Sequence, residues 1–575
     1  MRIKVSLDKP ITIERFSNEL RKLVEDVSTS LKEFFEDMID GRLGDDNRNI
    51  VIKLFDEWCV RNDVIPLMDL YRVLISELEE IIRSQDRNVR RAKIDRVIKD
   101  IAEGLKASYA SKESGDDVAS IVISCVAEAM SGRDKLEKIS WKCSKELLKS
   151  YISLFLDQTA HVIIARLLVC KIMEDKGYAP KRLDNVLSDP QFDALKTLID
   201  IRQSNETLLP NIYALSEFDW WYIPDIIRGL LNDQQRKILE KHENMLRNVL
   251  KRVASVLVGY DLSGIDFDIW QMIYQYYLPE EERQRLGGFY TPHELVSLII
   301  DLSGYKPDTP NLCKMRVLDP ACGSGTFVVE AARRLIKHLE TKEQCHTLPE
   351  TLWGKARFIL NTVKENIYAI DIHPFATFLT SLNLTMLLLD YYFKVRHQDS
   401  TYTLELNIIT ADSLAKYVHI TITDYFTNAR LKEAHKRSEK YKKALEMKFD
   451  YVFGNPPWGS VLKGQLSPLW NPKKREEYKK IYKSACGKYD VYVLFIERGI
   501  EWLEEGGVLG MVVNNRFLTR DFGKCIREII SGCTEMNYLV DLSEYGPDMF
   551  PGATNYPVVI ILHKKRCDGR GVLYE

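Results

Sequence analysis

The stretch that most constrains this chain is Asp450-Tyr451-Val452-Phe453-Gly454-Asn455-Pro456-Pro457-Trp458. Tyr451, Val452 and Phe453 are β-formers without helical spacing, so they read as a short buried strand. Gly454 breaks the strand, and two consecutive prolines forbid a helix immediately after it. The outcome is a rigid turn at a strand's carboxyl end, where open α/β sheets place their chemistry.

That turn suits an amine substrate. The exocyclic amine of a nucleobase is a poor nucleophile because its lone pair is delocalised into the ring. Two acceptors aimed at its hydrogens localise that pair. Asn455 offers a side-chain carbonyl and Pro456 a main-chain carbonyl with no competing N–H. Pro457 stiffens the turn, and Trp458 offers a flat face on which an extruded base can stack.

At 575 residues the chain has room for two to four domains. A net charge of −2 gives no global field for a polyanion, so any nucleic-acid affinity must come from local basic patches. The eleven cysteines include no Cys-x-x-Cys pair and no Cys/His cluster at zinc spacing. This favours reduced thiols, no metal and a cytoplasmic protein. The start, Met1-Arg2-Ile3-Lys4-Val5, has no apolar signal core, and the most apolar helix, around Val162 to Met173, is interrupted by Arg166 and Lys171 and reads as too short to span a bilayer. No membrane partner is expected.

Residues 1–255 read as an α-helical domain, with Leu, Ile, Val and Phe at three- and four-residue spacing among charges. Gly44 to Asn47 and Ser111 to Asp117 read as loops, and Gly177 as a helix stop. Glu174-Asp175-Lys176, with Asp157 upstream, has the local spacing of a metal-dependent nuclease, but its helical setting reads better as a charged helix end.

Residues 256–575 alternate strands and helices, which reads as an α/β domain. Before the first strand, Gly287-Gly288-Phe289-Tyr290-Thr291-Pro292 is a loop that can fold over a cofactor, with Thr291 placed to cap the helix starting at Pro292. Strand, glycine loop and helix then follow in Val317-Leu318-Asp319-Pro320-Ala321-Cys322-Gly323-Ser324-Gly325-Thr326. Val328 stands where a dinucleotide fingerprint needs its third glycine, and the phosphate-binding lysine is missing. A nucleoside with an amino-acid tail fits better, its carboxylate toward the helix N-terminus. Asp371 ends the next strand and can accept both ribose hydroxyls; Ile372 or Pro374 can pack on a base. Asp412, before Ser413, follows the third strand and can accept from an adenine amine. Thr421 to Lys448 reads as a basic inserted helix. Lys463 to Lys488 reads as a long basic loop interleaved with Trp470, Tyr478 and Tyr482, which suits a nucleic-acid backbone.

With these residues in order, residues 261–563 resemble the amino-methylating DNA methyltransferases, most closely the adenine-specific methylases of type IIG restriction–modification systems. The resemblance rests on Gly288-Phe289-Tyr290-Thr291-Pro292, Asp319 through Gly325, Asp371, Asp412 and Asn455 through Trp458. Their order is that of the family's γ arrangement, and the helical half is similar to that of type I modification subunits. It implies a Rossmann-like sheet of seven strands, mostly parallel with an antiparallel last hairpin, and S-adenosylmethionine as methyl donor. It further implies a flipped-out adenine in double-stranded DNA as substrate. The cofactor would lie on Phe289, Tyr290, Thr291, Pro292, Asp319, Pro320, Ala321, Gly323, Gly325, Asp371, Ile372, Asp412 and Ser413. The adenine would lie on Asn455, Pro456, Pro457 and Trp458. Trp458 stands where Tyr or Phe is commoner. The family's target-recognition domain is not evident after Leu562, so either the chain is a fragment or a separate specificity subunit reads the DNA. The same turn serves cytosine N4, RNA and protein-glutamine nitrogens, and a non-catalytic assembly subunit is a further alternative.

Overall fold

A computed structural model describes residues 5–6, 9–61, 66–84, 86–105, 115–132, 134–214, 216–222, 225–278, 291–341, 349–416, 439–458, 472–544 and 556–567. The chain forms two compact units. One comprises residues 1–202, 215–287 and 463–472; the other comprises 203–214, 288–462 and 473–575.

The first unit is helical because its apolar residues recur at helical spacing and meet in one core. Helix Pro10–Ile39 buries Phe34 and Phe35. Phe35 packs edge-on to Phe55 and Trp220, and tilted on Phe155. The central helix runs Lys149–Asp175, 27 residues, longer than the sequence reading gave it. It is long and apolar enough to cross a membrane, but its most apolar stretch is 89% buried inside the fold. The two cations that interrupt it are interior. Arg166 pairs with Asp219 at 2.6 Å, and Lys171 with Asp175. Two short parallel strands, Val5–Ser6 and Tyr260–Asp261, join the unit's ends. Gly44 is a turn residue (φ 94°), but Asp45 already opens helix Asp45–Arg61.

The charged triplet considered for nuclease chemistry is structural. Glu174 accepts from the main-chain N–H of Arg182 and Leu183, and Asp175 from that of Leu262. Among the described residues no carboxylate, His or Cys group is arranged to hold a metal ion.

The second unit is built on a seven-stranded sheet. Its strands are β1 Val317–Asp319, β2 Ile367–Asp371, β3 Asn407–Thr410, β4 Phe449–Gly454, β5 Leu503–Asn514, β6 Thr534–Asp541 and β7 Pro557–Lys564. The spatial order is β3-β2-β1-β4-β5-β7-β6. The first five strands run parallel, and β7 is antiparallel to both β5 and β6. This is the expected Rossmann-like sheet of seven strands with its antiparallel last hairpin. β1 has β2 on one side and β4 on the other, so the strand order reverses there, and a crevice opens at the strands' carboxyl ends.

The central strands β2 and β4 are buried on both faces, which is why they read as apolar runs rather than alternating ones, while the edge strand β6 is largely exposed. The helices that cover them are α1 His293–Leu302, α2 Thr326–Thr341, α3 Leu352–Asn366, α4 Pro374–Arg396, α5 Pro472–Ile481, α6 Val491–Trp502 and α7 Lys524–Cys533. α5 lies in a segment that the sequence reading gave to a long loop. The expected basic inserted helix falls largely on residues 417–438, outside the described residues.

The expectation of reduced cysteines is overturned for seven of the described ones. Cys125–Cys143, Cys486–Cys525 and Cys533–Cys567 form disulfides and Cys313 is also disulfide-bonded, while Cys59, Cys170 and Cys322 are free and buried. Sequence separations of 18, 39 and 34 residues leave no local motif, so only the packing reveals the pairs.

Candidate active site

The sheet's register sets four polar residues in a row at the crevice. Asp412 follows β3, Asp371 ends β2, Asp319 ends β1 and Asn455 follows β4, on successive neighbouring strands. Residues separated by up to 136 positions in sequence thus share one edge because parallel strands carry all their carboxyl ends to the same side.

Asp319 is 1% exposed. Its Oδ1 accepts from the Ala321 N–H at 3.0 Å, and its Oδ2 has no hydrogen-bond partner among the described residues. Burial, with the Asp371 charge nearby, pushes its carboxyl well above the usual range. Gly454 lets β4 come this close: a β-carbon there would lie 3.1 Å from Asp319 Oδ1. Sequence alone assigns Gly454 the lesser role of ending a strand.

The glycine loop after β1 is held from two sides. Asp371 accepts from the Gly323 N–H (2.9 Å) through Oδ2 and from the His373 N–H (2.8 Å) through Oδ1. On α4, Thr380 Oγ1 donates to the Gly323 carbonyl at 2.8 Å, and Asn383 Nδ2 to the Ser324 carbonyl at 3.0 Å. Gly325 is left-handed (φ 89°), and a β-carbon there would meet Thr380 at 2.9 Å. Thr380 and Asn383 escaped the sequence reading. Their only signal was a cluster of buried polar residues, Thr377, Thr380, Ser381, Asn383 and Thr385, in a largely apolar helix.

Asp412 Oδ1 accepts from the Leu414 N–H at 2.9 Å, and Oδ2 from the Tyr478 hydroxyl at 2.9 Å. Ser413 Oγ donates to the Pro320 carbonyl at 2.5 Å, tying the third strand's loop to the glycine loop. Tyr478 and Tyr482, expected among nucleic-acid contacts, instead point inward and are each 3% exposed. Ile372 is half-buried beside Asp371, and Pro374 opens α4.

Asn455, half-buried, donates through Nδ2 to Thr291 Oγ1 at 3.2 Å. Thr291 therefore does not cap α1, whose first turn has Pro292 as its cap residue and no side-chain cap bond. The bond engages the amide's donor and leaves Oδ1 its acceptor capacity. Pro456 is buried, and Pro457 and Trp458 are half-buried. Phe453, just before the turn, stacks on Phe327 of α2 at 6.4 Å. Phe289 and Tyr290 lie outside the described residues. The structure thus brings Thr291, Asp319, Gly323, Asp371, Asp412 and Asn455 to one edge, with Pro292, Pro320, Ala321, Gly325 and Ser413 in the same loops.

Residues 365–550 match the family described as Eco57I restriction-modification methylase. The chain is similar to the type II methyltransferase M.BstVI of Geobacillus stearothermophilus, 28% identical over 282 residues, 49% of this chain and 43% of that protein. It is also similar to the type II restriction enzyme and methyltransferase RM.Eco57I of Escherichia coli, 26% identical over 371 residues, 58% of this chain and 35% of that one. A third relative is the adenine-specific methyltransferase PglX of Streptomyces coelicolor, 25% identical over 319 residues, 51% of this chain and 24% of that one. The chain thus spans less than half the length of these relatives. The matched residues 365–550 hold Asp371, Asp412 and the Asn455 turn.

Proposed function

We propose that this chain transfers a methyl group from S-adenosylmethionine to the N6 amine of an adenine extruded from double-stranded DNA, as the modification component of a restriction–modification system. The observation that carries the proposal is the Asn455 turn, its amide N–H engaged by Thr291 and its carbonyl left for a substrate amine.

The residues present suit the cofactor. Asp319 Oδ2 is a buried acceptor without a partner among the described residues, the complement of a cationic α-amine. Above it, the N-terminus of α2 and the glycine loop suit a carboxylate. Asp371 at the end of β2 suits ribose hydroxyls, and Asp412 an adenine amine. When bound, S-adenosylmethionine supplies an already electrophilic methyl group, so the protein's work is alignment. Asn455 Oδ1 and the Pro456 carbonyl accept the two amine hydrogens, localise the nitrogen lone pair and stabilise the positive charge that develops on it. Trp458 supplies the stacking face. The name of the relative PglX supports adenine over cytosine. Sequence readout is assigned to a recognition domain or a specificity subunit acting with this chain, and action on cellular DNA places it in the cytoplasm.

The test is methyl transfer from labelled S-adenosylmethionine to mixed-sequence duplex DNA, followed by nucleoside analysis. N6-methyladenine from the wild type is expected. Asn455→Ala should lower turnover by roughly 10²–10³-fold, as for loss of one preorganised transition-state contact. Cofactor binding should change by less than about twofold. Turnover near normal in the variant would remove the turn from the mechanism.

A further inference from the structure

Three buried tyrosines surround the loop that follows β3. Tyr441 donates to the main-chain carbonyls of Asp412 (2.6 Å) and Ala415 (2.7 Å), and Tyr482 to that of Leu414 (2.7 Å). These bonds fix the path of the backbone. Tyr478 differs, because its hydroxyl donates to the side chain of Asp412, at Oδ2 and 2.9 Å. Tyr478 comes from α5, beyond the Asn455 turn in sequence, so a separate element of the fold reaches back to this carboxylate.

We propose that Tyr478 is a positioning residue for cofactor recognition, fixing the Asp412 carboxylate so that it accepts the 6-amino group of the cofactor's adenine. The proposal rests on the reading of this crevice as the S-adenosylmethionine site.

The geometry supports it in three ways. Leu414 N–H on Oδ1 and Tyr478 O–H on Oδ2 hold the carboxylate by both oxygens, which fixes its plane. Each oxygen retains a lone pair, so the group stays an acceptor. Asp412 is half-buried while Tyr478 is 3% exposed, so the carboxylate is reachable from the crevice and its holder is not. Burial, reinforced by the Asp412 charge, raises the phenol's pKa, so Tyr478 remains a protonated donor. Without that hydroxyl, Oδ2 loses the Tyr478 bond that sets the plane of the carboxylate, costing the amine contact part of its orientation.

A site that reads an amine discriminates against a ligand presenting an oxo group in its place, because two acceptors then face each other. The experiment uses the full chain and two probes, S-adenosylhomocysteine and S-inosylhomocysteine, with binding measured by calorimetry. The wild type should prefer the adenosyl probe by at least about tenfold. Tyr478→Phe should weaken the adenosyl probe about five- to tenfold and the inosyl probe less than about twofold, so the preference collapses. Tyr482→Phe, which loses a main-chain bond only, should keep the preference whatever it does to stability. Asp412→Asn is the second variant. It should erase or reverse the preference, since an amide can donate to the oxo group, and it reads the same contact if Tyr478→Phe does not fold. Equal weakening of both probes by Tyr478→Phe, or an unchanged preference in Asp412→Asn, would overturn the proposal while leaving the cofactor site intact. Failure of the wild type to bind S-adenosylhomocysteine would overturn the reading of the site itself, and this proposal with it.

Discussion

At the scale of single residues, Asp319 is the most unusual group in the crevice. It is buried, one of its oxygens has no hydrogen-bond partner among the described residues, and burial holds its carboxyl well above the ordinary range. A cationic amine arriving beside Oδ2 favours the ionised form. Binding a ligand with an α-amine should therefore release a proton wherever the pH lies below the raised pKa, and affinity should climb with pH across that window. Calorimetric titration of S-adenosylhomocysteine in two buffers of different ionisation enthalpy reads the release directly. Asp319→Asn should abolish it, and a wild type that releases no proton would mean the amine does not meet Asp319. Most of this edge was legible beforehand, because Asp319, Asp371, Asp412 and Asn455 each follow a run of β-formers. Thr291 was legible as a helix cap and, through the resemblance, as a cofactor contact, but not as a partner of Asn455. Its hydroxyl goes to Asn455 because β4 ends within reach of the start of α1, a proximity that no spacing encodes.

At the scale of elements, helix Leu67–Arg83 receives an acceptor from the preceding helix. Asp56 Oδ1 takes the Leu67 N–H at 2.7 Å. Burial nonetheless wins over that bond and raises the Asp56 pKa to about 7 from 3.8. The folded state then keeps a proton that the unfolded chain loses, so the contribution to stability falls as pH rises between those two values, by about 1.4 kcal/mol per unit. Above about 7 both states are ionised and the fall ends. Asp56→Asn keeps an acceptor without the charge. Its thermal midpoint should gain on the wild type between pH 5 and pH 7, and a constant difference across that range would refute the assignment. Element boundaries were read well where periodicity was long. They were read poorly at α5, where Pro472-Lys473-Lys474-Arg475 reads as solvated loop until Tyr478 and Tyr482 find a core to fill.

At the scale of the whole molecule, the three disulfides whose cysteines both lie among the described residues close loops of 18, 34 and 39 residues. Loop-closure entropy makes each worth about 3–4 kcal/mol at most. Reduction by a phosphine should lower the thermal midpoint. Thiol titration of the denatured, unreduced protein should leave these six cysteines unreactive, and a full count of free thiols would remove the bonds. By itself the sequence determined the parallel sheet, the polar end of each strand and the Asn-Pro-Pro-Trp turn, because these follow from local apolar runs, backbone restriction at proline and the chemistry of single side chains. Only the tertiary structure decided which hydroxyl holds Asn455, which phenol holds Asp412, which oxygen of Asp319 has no partner among the described residues and which cysteines pair. Those outcomes depend on distances between segments far apart in the chain, set by how the helices pack on the sheet and on one another.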